Sequence, residues 1–416
     1  MTNKAMQINL GLEWYNKWPR DVTCVAKKVD DLVFIGGQLP LDSEGRITGV
    51  GNVQEQARFA LTKFKECVEQ AGGSINDVCD VQSFHTDVRQ IPAVLEVAKE
   101  FFKKSKPTWS AVGTSGLYKL GIDVCFSGLA VLDAKTKDIN PGLEWYSKPP
   151  WDVAVPCKVA NDLVIMGQMC GMDDKGKVVA PGDYPGQFRY AWKKSVECMK
   201  EAGGTSENII DVVCYFRDRR GGLWPVALLN DVLVKDKTMG AKYSERIAGT
   251  AISMPSYFHS DLLGQHHIYG VLGEKEKRPL GGWIPYCTVG HYPGDILWGA
   301  IKVGRYVFFP GQVMYQGGFS LEEDIPSIKK QARCCFNEFV RILGSIGATM
   351  ENVVFIRTYS DPGYIDPVLE IAHEFFHNEK PAWNSIGNSG LYQRQMLLEV
   401  YGMAIVHEDH FRHYIY

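Results

Sequence analysis

Apolar and polar positions fall into the same order three times along this 416-residue chain. A β-type run, LVFIGGQ from Leu32 to Gln38, stops at the polar turn Asp42-Ser43-Glu44-Gly45. Apolar residues then return at helical spacing, Phe59, Phe64 and Val68, within a predicted helix from Gln56 to Gly72. A strand over Asp77 to Phe84, a second helix over Ile91 to Lys103, and a strand–glycine loop–strand unit from Lys106 to Val131 complete the first pass. The second pass has LVIMGQ ending at Gln168, a helix from Gln187 to Gly203, a strand from Ile209 to Phe216 and a helix near Val226. The third has YVFFPGQ ending at Gln312, a helix from Gln331 to Gly347, a strand from Asn352 to Thr358 and a helix from Ile365 to His377. It closes with a glycine-punctuated unit from Lys380 to Ile405.

The three passes are copies. One fixed interval separates the glutamine of the first helix from a glycine in each, Gln56 to Gly72, Gln187 to Gly203 and Gln331 to Gly347. Arg58, Arg189 and Arg333 stand two places in. The pentapeptide GLEWY at Gly11 returns at Gly142. A P-x-D-[VI] motif carries Asp21, Asp152 and Asp295. The closing units KPTWSAVGTSGLY and KPAWNSIGNSGLY align without gaps. Such a period marks tandem structural units. Boundaries are placed at 1–136, 137–277 and 278–416, with charged linkers at Ala134 to Pro141 and Gly273 to Pro279. The order β-β-α-β-α-β-β predicts an α+β unit, one sheet with both helices on one face. The three bare faces are then expected to meet around an intramolecular pseudo-threefold axis, as in a closed trimer.

Composition narrows the function classes. A net charge of -3 gives no electrostatic reason to expect nucleic acid or an anionic membrane. No run reaches the roughly 18 apolar residues of a membrane span. Eleven cysteines without a CxxC pair fit a reducing, cytoplasmic setting.

One carboxylate lies inside an apolar strand, Glu399 in Leu397 to Val400, and a charge there needs pairing or neutralisation. Its counterparts are Cys125 and Gln265. Strand alternation puts Glu399 with Tyr401, Gln265 with His267, and Cys125 with Ser127 on common faces. Cys125 reads as a small buried filler rather than a nucleophile, and His267 as a structural histidine rather than a base. His373-Glu374-Phe375-Phe376-His377 matches the HExxH zinc pattern, but the first copy has lysines at both histidine positions, so no metal is expected. The tail histidines His407, His410 and His413 read as a solvated end. The P-x-D aspartates read as turn caps, and Arg217, Arg219 and Arg220 as a solvated turn.

The Gly-Gln after a β-run, the Gln-x-Arg helix closing in Ala-Gly-Gly or a variant, and the terminal strand ending in Gly-x-Ala-Val resemble the Rid family, the YjgF-like reactive intermediate/imine deaminases. The resemblance covers nearly the whole chain, three times. It implies a chorismate-mutase-like unit, clefts between units, and cofactor-free hydrolysis of enamines or imines. The family's carboxylate-gripping arginine is replaced by Trp109 and Trp383, and in the second copy falls near Gly249 or Thr250. Its last-strand glutamate survives only as Glu399. The cleft glycines are Gly37 and Gly311, and the second copy is read as one residue shorter there, with Met166 before Gly167.

Glu399 is therefore the expected catalytic acid/base. Trp383, Asn384, Tyr401, Trp109, Gly37, Gly311, Cys125, Gln265 and His267 are the expected substrate-binding residues. A tryptophan offers a flat apolar face where arginine would fork a carboxylate. The expected activity is cofactor-independent hydrolytic deamination of an unsaturated nitrogen compound, in aromatic or heterocyclic amine catabolism. The partner is a small-molecule substrate, and the chain is either a monomeric pseudo-trimer or associates further. Two rivals stand beside it: a cyclic-amide hydrolase of the cyanuric acid or barbiturate type, which needs a Ser–Lys pair in each repeat, and a non-catalytic ligand-binding scaffold.

Overall fold

The computed structural model describes residues 5–217, 228, 247–281, 299–314, 327–391 and 395–407. In the first copy the elements are β1 (Met6–Ile8), β2 (Ala26–Val29), β3 (Leu32–Gln38), α1 (Val53–Gln70), β4 (Val78–His85), α2 (Ile91–Phe101), β5 (Thr108–Gly113) and β6 (Val124–Val131). The second copy has β7 (Thr136–Ile139), β8 (Cys157–Ala160), β9 (Leu163–Cys170), α3 (Tyr184–Glu201), β10 (Ile209–Phe216), β11 (Ala248–Ser253) and β12 (Gly264–Val271). The third has β13 (Lys277–Leu280), β14 (Ala300–Val303), β15 (Tyr306–Val313), α4 (Ile328–Gly344), β16 (Val353–Ser360), α5 (Ile365–Ala372), β17 (Ala382–Gly387) and β18 (Leu398–Ile405).

Each copy builds a six-stranded sheet of one topology, β1-β2-β3-β6-β4-β5 and its two equivalents. Neighbours are antiparallel except β4–β5, β10–β11 and β16–β17, the parallel pairs. A parallel pair needs a crossover, which α2 and α5 supply in the first and third copies. The helix expected near Val226 lies outside the described residues.

Three expectations need correction. The charged segments taken for linkers contain β7 and β13, each the outer strand of the sheet that follows. Their lysines sit on an edge strand, where charge discourages pairing with other chains. The second helices are shorter than their apolar pattern: α2 ends at Phe101 and α5 at Ala372. His373 and His377 therefore do not share a continuous helix, the geometry that an HExxH site requires. The P-x-D aspartates also do more than shape a turn. Asp21 lies 3.1 Å from His373 of the third copy, and Asp152 lies 2.9 Å from Lys99 of the first. Each joins its loop to a side chain just beyond or near the end of a neighbour's second helix. Asp295 lies outside the described residues.

The repeated helix glutamine has a clear task. Gln56 donates to the Gly121 carbonyl at 2.8 Å and accepts the Asp123 N–H at 2.7 Å. Gln187 does the same with Asp261 and Leu263, and Gln331 with Gln395 and Leu397. The helix thus clamps the loop that launches each final strand. Gln38 and Gln312 turn back onto carbonyls of their own β-bulges, Gly36 and Pro310 among them.

The central strands β4, β10, β16, β12 and β18 are buried at every residue. One face meets helices and the other meets the sister copies, so even their polar residues, Asp80, Asp211, His267 and Arg357 among them, are buried. The three sheets close around a common axis. Backbone bonds continue across the seams, Cys24 N–H to the Pro381 carbonyl at 3.1 Å and Val155 N–H to the Pro107 carbonyl at 3.0 Å. Gln56→Ala leaves a buried N–H and C=O unpaired, so it is expected to lower stability by about 1–3 kcal/mol, measured as a fall in the urea midpoint.

Candidate active site

Each final strand lays its inner face against the neighbouring copy, giving three clefts. Across the seams β15 of the third copy meets β11 of the second, β3 of the first meets β17 of the third, and β9 of the second meets β5 of the first, with the final strands β18, β6 and β12 beside them. The lining differs in each.

Glu399 occupies the first of these. It is 7% exposed and packs directly on Gly311, where a Cβ would overlap its carboxyl oxygen. The glycine is required by that close approach. Gly311 donates its N–H to Thr250 Oγ1 at 2.8 Å, and the Ala251 N–H bonds the carboxyl. Burial pushes the Glu399 carboxyl up to about 8, against a smaller opposing pull from that N–H. The group is therefore a neutral acid at neutral pH that can release its proton within the physiological range.

The expected indoles are not beside it. Register places Gly249 where the other copies carry Trp109 and Trp383. Trp109 is fully buried, edge-on to Phe102 and Phe126, with its N–H on Ser83 Oγ. Trp383 packs among Phe336 and Phe376 and belongs to the Cys125 cleft. Both are chiefly core residues of their own copies, which removes the flat aromatic wall expected at Glu399.

The Cys125 cleft is lined by Gly37, Trp383, Asn384 and Ser385, with Tyr15, Arg20 and Tyr118 at its side. Asn384 donates to Ser127 Oγ at 3.0 Å and accepts from the Cys125 thiol at 3.5 Å. Burial, partly offset by Arg357, pushes that thiol up to about 12, so it is no nucleophile.

The third cleft is filled. The second copy is not shorter at its bulge. Gly167 takes the place of Gly36 against its neighbour's tryptophan backbone, so Gln168 stands where Gly37 and Gly311 stand. Gln168 adopts φ +50°, accepts the Ala111 N–H at 2.9 Å and donates its own N–H to the Ser110 hydroxyl oxygen at 3.0 Å. Gln265 is buried beneath it with neither amide atom hydrogen-bonded.

His267 and Tyr401 face the axis rather than a cleft. His267 and Tyr269 both bond Asp80, at 3.0 and 3.1 Å. Burial raises the Asp80 carboxyl, but His267, Thr108 and Gln82 outweigh it and hold it below its usual range. Tyr401 donates to Asp211 at 2.8 Å, and burial pushes Asp211 up to about 8. Arg357 joins all three copies, donating to Gln82 at 2.7 Å, Ser127 at 2.8 Å and Tyr215 at 3.5 Å. Sequence reasoning missed Asp80, Asp211 and Arg357, although a charged residue in an otherwise apolar strand was available as a signal.

Of the other candidates, Arg217 donates to the Ser260 carbonyl at 2.6 Å, while Arg219, Arg220, His410 and His413 lie outside the described residues. His407 pairs with Asp30 at 2.9 Å. No described group of His, Cys, Asp and Glu is arranged to hold a metal ion, and no described helix is long and apolar enough to cross a membrane. The described cysteines are all free.

Glu399 and Asp211 are bound to protons more tightly folded than unfolded. Their stabilisation is full below the unfolded carboxyl values and is lost as pH rises towards 8. Denaturation should show stability falling by on the order of a few kcal/mol between about pH 4.5 and 8, a slope reduced in Glu399→Gln and in Asp211→Asn. Gly311→Ala should displace the carboxyl and return its titration towards the ordinary carboxylate range, read by carbon-13 NMR of labelled glutamate.

Residues 22–131 and 297–406 match the family described as endoribonuclease L-PSP. The chain is 36% identical to a RutC family protein of Pyrococcus abyssi over 23% of its own length and 74% of that protein's. It is 35% identical to the 3-aminoacrylate deaminase RutC of Acinetobacter baylyi over 20% of this chain and 65% of that one. It is 32% identical to the 2-iminobutanoate/2-iminopropanoate deaminase of Dermatophagoides farinae, over 23% of this chain and 73% of that one. A chorismatase crystal structure superposes with a TM-score of 0.51 at 10% identity, covering 79% of this chain and 93% of its own, a likeness of fold alone. With two copies matched directly and a third sheet of the same topology between them, the chain belongs to the endoribonuclease L-PSP family, the Rid and RutC group, as three tandem copies in one polypeptide.

Proposed function

We propose that this protein is a cofactor-independent hydrolytic deaminase of an enamine or imine, with Glu399 as its single acid/base. The observation that carries the reading is a buried, neutral carboxyl set against a glycine at the seam between two copies. Relatives named as 3-aminoacrylate and 2-iminobutanoate deaminases support that substrate class.

The chemistry needs a proton to pass back and forth. The neutral Glu399 carboxyl adds its proton to the enamine carbon, leaving an iminium carbon open to attack. The carboxylate then takes a proton from water as that oxygen bonds to the carbon. The regenerated carboxyl then protonates the carbinolamine nitrogen, and as the C–N bond breaks the hydroxyl proton returns to the carboxylate, releasing ammonia and a carbonyl product. A group titrating near 8 is suited to giving and taking protons. Gly311 lets the carboxyl sit directly against the seam backbone, in space that any side chain there would take.

A preference for aromatic or heterocyclic amines is not carried forward, because its basis was an indole wall and Gly249 stands there. The cyclic-amide reading lapses too: equivalent cleft positions hold Cys125, Gln265 and Glu399, and Ser110, Thr250 and Asn384, with no recurring Ser–Lys pair. The scaffold reading keeps one observation in its favour, the two clefts without an acid.

Glu399→Gln decides between them. Its turnover of 2-iminobutanoate or 3-aminoacrylate, measured as ammonia release, should fall by about 10²–10⁴, with folding retained. The wild-type rate should decline as pH rises through about 8, when the proton donor is lost. Undiminished ammonia release by Glu399→Gln sinks the assignment.

A further inference from the structure

The cavity on the pseudo-threefold axis is a separate space from the three seam clefts. Equivalent residues of the three copies ring it, Gln82, Val213 and Arg357 from the middle strands and Leu129, Tyr269 and Met403 from the final ones. Arg357 alone among them is charged. The room inside is about 10 Å³, which fits one water-sized guest and no larger organic ligand.

Arg357 is 2% exposed, and among the described residues it donates only to neutral acceptors, Gln82 Oε1, Ser127 Oγ and the Tyr215 and Tyr359 hydroxyls. Its Nε is buried and makes no hydrogen bond. The rings of Phe84 and Phe355, at 5.2 and 5.1 Å, soften the charge without balancing it. Both axial carboxylates are otherwise engaged. Asp80 is held by His267, Tyr269, Thr108 and Gln82. Asp211 accepts from Tyr401, and burial keeps it protonated at neutral pH. A buried cation without a negative partner is costly, so the axis is short of one negative charge. A second nitrogen points to the same deficit. His267 also lines the cavity, with Nε2 3.0 Å from Asp80 and a buried Nδ1 that makes no hydrogen bond. In the imidazolium form both ring nitrogens donate. Phe34 and Phe355 add apolar wall, which suits a weakly hydrated ion over a strongly hydrated one.

We propose that the axial cavity binds a small monovalent anion of the halide class, chloride above all, as the counter-ion of Arg357 with His267 beside it. The ion ties the copies together, since Gln82, His267 and Arg357 come from the first, second and third. The site does not depend on the Glu399 assignment and acts on stability rather than turnover.

Thermal melting of the full chain in sodium chloride, against sodium gluconate at equal ionic strength, tests this together with anomalous scattering from bromide-soaked crystals. Chloride is expected to raise the melting temperature saturably, by about 2 °C at roughly tenfold its half-saturating concentration. Bromide should give an anomalous peak on the axis beside Arg357. Arg357→Met should lose the chloride-specific shift. Should Arg357→Met fail to fold, the bromide peak in the wild-type chain decides. Three results overturn the proposal: gluconate stabilising as well as chloride, no bromide peak on the axis, which leaves the cavity to water, or a full chloride shift retained in folded Arg357→Met.

Discussion

The central strands of every sheet are buried on both faces, and the helices cover only one. The uncovered face must leave water, and three such faces within one polypeptide can satisfy each other by closing a ring. That closure fixes everything functional. It sets β15 against β11, β3 against β17 and β9 against β5, and so creates the clefts. It also buries the polar residues of the axis, where Arg357 reaches Gln82 and Ser127 of the first copy and Tyr215 of the second. A guanidinium donating to two sister copies can reach both in one register only, so the network specifies how the copies meet, although its buried Nε stays without a partner in the chain.

Joining three copies in one chain frees the clefts to diverge, because a substitution in one copy is not repeated in the others. The outcome is graded. One cleft has an acid against a glycine, one has an arginine beside a cysteine, and one is plugged by Gln168. The plug arises at a single bulge position, where glycine in two copies leaves space and glutamine in the third fills it. The three clefts are thus variants of one geometry, separated by a handful of side chains.

The repeat, the sheet–helix order and the standing of Glu399 as the lone acid on a final strand were legible because they rest on spacing. Anchors that recur at a constant offset and an acid inside Leu, Val and Tyr are visible without coordinates. Gln56, Gln187 and Gln331 were visible as a pattern, but their task as loop clamps was not, since their partners lie far along the chain. The gap supposed at Gly167 came from matching the Gly-Gln letters. Held at the offset that carries Gly11 onto Gly142, Gly37 falls on Gln168, and the sequence could have said so.

What local pattern could never decide is which copy faces which. The sequence by itself determined the three units, their strand and helix order, and the one acid on a final strand. Only the closed ring decided that Glu399 meets Gly311 and the Ala251 N–H rather than an indole, that Trp383 stands on the Cys125 side, and that Arg20 enters that same cleft. The reason is physical: alternation and helical period report which face of an element is dry, whereas the identity of the surface that dries it is a property of the assembled chain.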